Sequence, residues 1–178
     1  MTFLTMLLAL FSLSFATAQN SPEAKKQVAA IREFYSQAKQ NIAENDKSTD
    51  SRNDMEIVSH QSINAGQSED TFHYYFTAED KEEIQGKAYN PYFITHKYVM
   101  PAWDYYEEFL YNENGELVFY FRNSYEDGFE TEVRFYSDKG KVIHETKKGE
   151  DEYVEIIDWE STKELSDKYK AVFNTLMN

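Results

Sequence analysis

Between residues 103 and 158, four segments of the form x-x-x-Gly punctuate aromatic stretches: 112–115, 125–128, 137–140 and 146–149. Each fits a type I turn closed by a glycine with positive φ, the connection that joins antiparallel strands with a G1 bulge. Four such turns in succession leave the chain little choice but a meander, in which the turns set the strand register.

Counting outward from Gly115, Asn112 faces Glu116, Phe109 faces Phe119, Glu108 faces Tyr120 and Tyr106 faces Arg122. The turn at Gly128 then pairs Phe119 with Phe135, Tyr120 with Arg134, Phe121 with Val133 and Arg122 with Glu132. The turn at Gly140 pairs Phe135 with Ile143 and Arg134 with His144. One face therefore carries Phe109, Phe119, Phe135 and Ile143, flanked by Phe121 and Val133, as a core row. The other carries Glu108, Tyr120, Arg134 and His144 beside Tyr106, Arg122, Glu132 and Thr146, with Glu152 joining if the fourth turn behaves alike. This polar face has two readings. It is a solvated ladder of opposite charges, each pair contributing about 0.2–1 kcal/mol. Alternatively it is a binding surface, where Tyr106, Tyr120, Arg122, Arg134 and His144 accept a carboxylate, a sugar or a partner's loop. Twisted strands in such number curl, which makes this face concave unless the helices fill the inside.

The flanks of the meander read as helices. Ser21 and Pro22 suit an N-cap and first helical position, and Val28, Ile31, Tyr35, Ala38 and Ile42 form one apolar stripe, decorated by Lys25, Lys26, Arg32 and Lys39. Near the C-terminus, Ser161 and Glu164 form a capping box ahead of an apolar face of Leu165, Tyr169, Val172, Phe173 and Leu176. Strands are expected over 55–63, 70–77, 91–99, 103–112, 116–124, 129–137, 141–147 and 151–158, with 79–90 a longer connection. The expected fold is α+β: an antiparallel meander of about eight strands, curled, with the N- and C-terminal helices packed on one face.

The apolar run Phe3–Leu13 leads to Ala16-Thr17-Ala18, an A-x-A cleavage site, although no basic residue precedes the run within 2–18. Residues 1–18 thus read as a signal peptide for secretion or periplasmic export, the alternative being a hydrophobic segment that stays as an anchor. Cleavage would leave 178 − 18 = 160 residues (19–178), the size of a single domain, with no further span. There is no cysteine, which excludes disulfides, thiol catalysis and Cys-ligated zinc. A net charge of −14 disfavours nucleic acid and anionic lipid, and favours solubility or a cationic protein partner.

Candidate chemistry is sparse. Asp46, Ser48, Asp50 and Asp54 fall in a polar linker, but Ser51 and Ile57 occupy the positions where a calcium loop needs glycine and glutamate. His60, His73 and His96 lie on three early strands and would hold zinc only if those strands bring them together. His144 has no nucleophile opposite it, and Glu107 and Glu108 point to opposite sides of one strand, so they cannot act on one bond. No cofactor is called for.

The segment Phe109–Tyr120 together with Arg134–His144 resembles secreted or periplasmic Bacteroidetes proteins of unknown function, over residues 103–147. It is also similar to MORN-type repeats, but glycine spacings of 13, 12 and 9 do not keep one period. No functional residue is implied by either resemblance. Function is therefore expected to be a non-enzymatic binding module for a small molecule, glycan or protein. The alternatives are an acidic inhibitor or scaffold docking a cationic protein, and a small hydrolase without a recognisable motif.

Overall fold

The computed structural model describes residues 21–48, 53–63, 66–81, 86–100, 103–126, 128–149 and 157–177. In chain order these form α1 (Pro22–Asn45), β1 (Asp54–Ile63), β2 (Gly66–Lys81), β3 (Gly86–Met100), β4 (Trp103–Tyr111), β5 (Leu117–Glu126), β6 (Phe129–Asp138), β7 (Lys141–Lys148) and α2 (Trp159–Met177). The signal-peptide segment and residues 151–156 of the eighth expected strand lie outside the described residues; Ile157 and Asp158 are not in a strand. No described helix is long and apolar enough to cross a membrane.

The seven strands form one antiparallel meander in the order β1 to β7, and the sheet is not strongly curled. The expected long connection at 79–90 is instead strand at both ends: β2 runs to Lys81 and β3 begins at Gly86. The lack of strong curl follows from how the sheet is covered. The two helices lie on opposite faces rather than on one. Val28, Ala38 and Ile42 of α1 pack with Tyr75, Phe93, Leu110, Phe119 and Tyr136. Phe173 of α2 packs with the adjacent residues Tyr74, Ile94, Phe109, Tyr120 and Phe135. Successive side chains on a strand point to opposite faces, so these five doublets supply one large residue to each side. A sheet loaded on both faces gains nothing by curling around one of them.

The register departs from the turn count for three local reasons. At Gly115 (φ +73) the turn closes as read, with the Asn112 amide donating to the Glu116 carbonyl. An extra residue, Val118, then enters between the pairs Tyr111–Leu117 and Leu110–Phe119, so Phe109 meets Tyr120 and Glu107 meets Arg122. At Gly128 the turn is one residue shorter, because Glu126 pairs directly with Phe129. At Gly140, Lys139 (φ +50) and Gly140 (φ +73) both take left-handed conformations, the signature of a type I′ turn, and a bulge at Ile143 follows. Phe119, Phe121 and Ile143 consequently leave the expected core row for the α1 side, while Phe109, Val133 and Phe135 stay together under α2.

Both helix starts obey capping chemistry. Ser21 Oγ accepts from the Ala24 amide at 3.0 Å, with Pro22 behind it. The cap of α2 is Asp158, not Ser161: its carboxylate accepts from the Ser161 amide (2.9 Å) and hydroxyl (2.7 Å). The Trp159 indole, donating to the Gly140 carbonyl at 3.0 Å and packed against Phe135, anchors this earlier start. The helix is also rotated relative to the expected apolar face. Thr162, Ser166 and Phe173 are buried and Leu165 and Tyr169 partly so, whereas Val172 and Leu176 are exposed.

Candidate functional site

The shifted register divides the five residues expected to share one polar face. Tyr106, Arg134 and His144 lie on the α1 side; Tyr120 and Arg122 lie on the α2 side. Each side holds one of the neighbouring glutamates of β4 as the centre of a buried polar cluster.

Under α2, the Glu107 carboxylate (1% exposed) accepts from the Tyr120 hydroxyl at 2.6 Å and faces His96 Nδ1 at 3.1 Å. Arg122 Nη1 stands 3.7 Å away, with its guanidinium over the Tyr105 ring. The other His96 nitrogen meets Asp70 at 2.9 Å, the Tyr169 hydroxyl reaches Nδ1 at 2.9 Å, and Phe72 stacks on the imidazole at 4.0 Å. Burial first, then the Glu107 charge, holds the Tyr120 hydroxyl well above its ordinary pKa. His96 is thus enclosed, with both ring nitrogens against protein atoms. This cluster ties β2, β3, β4 and β5 to α2.

Under α1, Glu108 (3% exposed) accepts from Tyr35 (2.7 Å), Tyr106 (2.9 Å) and Lys39 (2.9 Å). Both tyrosines are pushed upward, by burial above all and then by the neighbouring carboxylate. Beside this cluster a cleft of about 320 Å³ opens between helix and sheet, lined by Arg32, Tyr35 and Ser36 of α1 and Glu108, Phe119, Phe121, Arg134 and Tyr136 of the strands. The spacing of 32, 35 and 36 puts all three on one helix side, and the strand residues alternate onto the facing surface.

Both arginines of the cleft rest on rings: Arg134 over Phe121 at 5.0 Å and Arg32 over Tyr136 at 5.3 Å. Both terminal nitrogens of Arg134 also bind Glu132, and Lys148 reaches the same carboxylate at 3.1 Å. Partial burial opposes ionisation of Glu132, but Lys148 and Arg134 outweigh it and hold its carboxyl below the usual range. Arg32 has a single polar partner, the Tyr136 hydroxyl at 3.4 Å, and no carboxylate among the described residues. The Thr146 hydroxyl, on the residue paired with Arg134, is buried without a hydrogen-bond partner.

His144 lies beside Tyr136, their rings 5.6 Å apart, and is not among the cleft's lining residues; Glu152, its expected neighbour, lies outside the described residues. His73 and His96 occupy opposite faces and cannot meet on a metal; His73 pairs with Asp54 at 2.8 Å. Among the described residues, no group of three or more acidic or histidine side chains is arranged to hold one. Arg32, Tyr35, Ser36 and Tyr136 escaped the sequence reading of the site. In the sequence Tyr35 reads as part of the apolar stripe and Arg32 as its decoration, yet their 32/35/36 spacing places a cation beside a ring on one helix edge.

Comparison with family models, with curated proteins and with solved structures found no match.

Proposed function

We propose that the protein is a non-enzymatic binding module and that its ligand, a small molecule, seats in the cleft between α1 and strands β4–β6. One observation carries this reading: the cleft has arginines on both walls, each supported by an aromatic ring, above an apolar floor of Phe119 and Phe121. Pockets of this kind, mostly apolar with a few placed polar groups, are the usual form of small-ligand sites. Of the residues expected from sequence, Arg134 lines the cleft, while Tyr106 buttresses Glu108 and His144 stands beside Tyr136. Tyr120 and Arg122 belong to the enclosed cluster on the far side and have a structural role in this reading. The A-x-A leader and the absence of cysteine support an exported, secreted or periplasmic location.

The test is a cleft filled from its helix wall. Ser36 is exposed on α1, so Ser36→Phe is expected to leave the urea midpoint unchanged. A small-molecule library screened by thermal shift should give compounds that stabilise the wild type and lose their effect in this variant. Hits that stabilise both proteins equally would remove the cleft as the site. The net charge of −14 favours a second reading, an acidic inhibitor or scaffold docking a cationic protein. That reading predicts capture of a basic partner that disappears in high salt, with no dependence on Ser36.

A further inference from the structure

We infer that the cleft selects a planar, apolar ligand bearing a carboxylate; this rests on the cleft being the binding site. The first reason is local charge. The lining residues and their direct ionic partners are Arg32, Lys39 and Arg134 against Glu108 and Glu132, three positive minus two negative, or +1, in a chain of net −14. Such an island attracts anions that the rest of the surface repels.

The second reason is the balance of donors and acceptors. Glu108 already accepts from three groups, and Glu132 is occupied by Arg134 and Lys148. Ser36 donates its hydroxyl to the Arg32 carbonyl, and the Tyr136 oxygen accepts from Arg32. What remains open is chiefly guanidinium N–H, above all on Arg32, which carries up to five donors and uses one. A sugar needs acceptors as well as donors, and the acceptors still open here are fewer, chiefly the Ser36 and Tyr136 hydroxyl oxygens. A carboxylate needs donors only, and a guanidinium matches it in a two-pronged geometry.

The third reason is shape. Phe119, Phe121 and Tyr136 offer ring surface, and about 320 Å³ is at the small end of ligand-pocket volumes, which suits one or two fused rings. Inorganic phosphate would satisfy the arginines but leave this apolar floor uncovered.

The test is calorimetric titration of the full chain at low ionic strength with 2-naphthoate, its neutral counterpart 2-naphthylmethanol, and inorganic phosphate. We expect 2-naphthoate to bind at least about tenfold more tightly than either of the others. Arg32→Gln should remove most of that preference, with an unchanged circular dichroism spectrum and urea midpoint. Equal binding of acid and alcohol, both lost in Ser36→Phe, would overturn the carboxylate inference and leave the cleft standing. Phosphate binding as tightly as 2-naphthoate would overturn the requirement for a planar body. Binding of none of the three, or binding indifferent to Ser36→Phe, would overturn the inference together with the site beneath it.

Discussion

Glu107 and Glu108 are chain neighbours with different fates, and the difference is measurable. Glu107 is enclosed with His96, Tyr120 and Arg122, so replacing its charge strands several buried partners at once. Glu107→Gln is expected to destabilise by about 3 kcal/mol or more in urea unfolding. Glu108→Gln should cost roughly 1–2 kcal/mol, because the Lys39 ammonium, on a side chain 41% exposed, can turn to water. Equal losses would mean that the two clusters are equally closed. Glu132 gives a pH signature. Its carboxyl is held below the ordinary value of 4.5, so the fold favours the ionised form. That stabilisation is present above the ordinary value and is lost as pH falls through the lower folded one. The stability gap between wild type and Glu132→Gln should therefore be constant near neutrality and close on acidification. At this scale the sequence exposed Arg134 and Tyr106 as polar residues of an aromatic sheet. It did not expose Arg32 as a cleft residue, because a cation beside an amphipathic stripe reads as solvated until the helix is docked.

Among elements, the β6–β7 turn carries the clearest strain. Lys139 holds φ +50, a left-handed conformation that a lysine adopts at a cost and that asparagine or glycine adopts readily. Lys139→Asn is expected to raise stability by about 0.5–1 kcal/mol, read as a higher urea midpoint with an unchanged slope. The antiparallel meander and both helices are legible in the turn glycines and the apolar stripe, whereas the extension of β2 and β3 into 79–90 is not. The register was not, and the reason is physical. A one-residue slip normally moves a whole apolar set from core to solvent and is thereby forbidden. Here Phe119–Tyr120 and Phe135–Tyr136 are doublets, so a slip exchanges one aromatic for another and alternation cannot choose between them. The choice falls to Val118 and Ile143, which enter as bulges, and to Glu107 and Glu108, which each need a particular set of donors. That the two helices take opposite faces is hidden for the same reason. Strands buried on both sides show continuous apolar runs rather than a polar stripe.

In the whole molecule, two cores on opposite faces are stitched by tyrosine. Tyr35, Tyr74, Tyr105, Tyr106, Tyr111, Tyr120 and Tyr169 are all shifted upward with burial as the first cause, Tyr74 pushed up to about 12. A raised folded pKa means that stability is intact below the ordinary tyrosine value of 10.0 and drains away as pH rises past it. The protein is therefore expected to lose its circular dichroism cooperatively in alkali, with most tyrosinate absorbance at 295 nm appearing in that same transition. Smooth, early titration of all fourteen tyrosines would contradict the burial described above.

Strand order equal to chain order has a consequence for synthesis. As the polypeptide emerges from its N-terminus, every strand after β1 finds its only earlier partner already made, and none must be threaded between two others. The α1 side can therefore close once β7 is released, while the opposite side stays open until α2 arrives to set Tyr169 over His96 and Phe173 against Tyr74. The helix α2 acts as a latch on a sheet otherwise assembled. A ribosome-stalled or truncated chain ending before Trp159 would present one finished face and one greasy, aromatic one, which is the form a chaperone would be expected to hold.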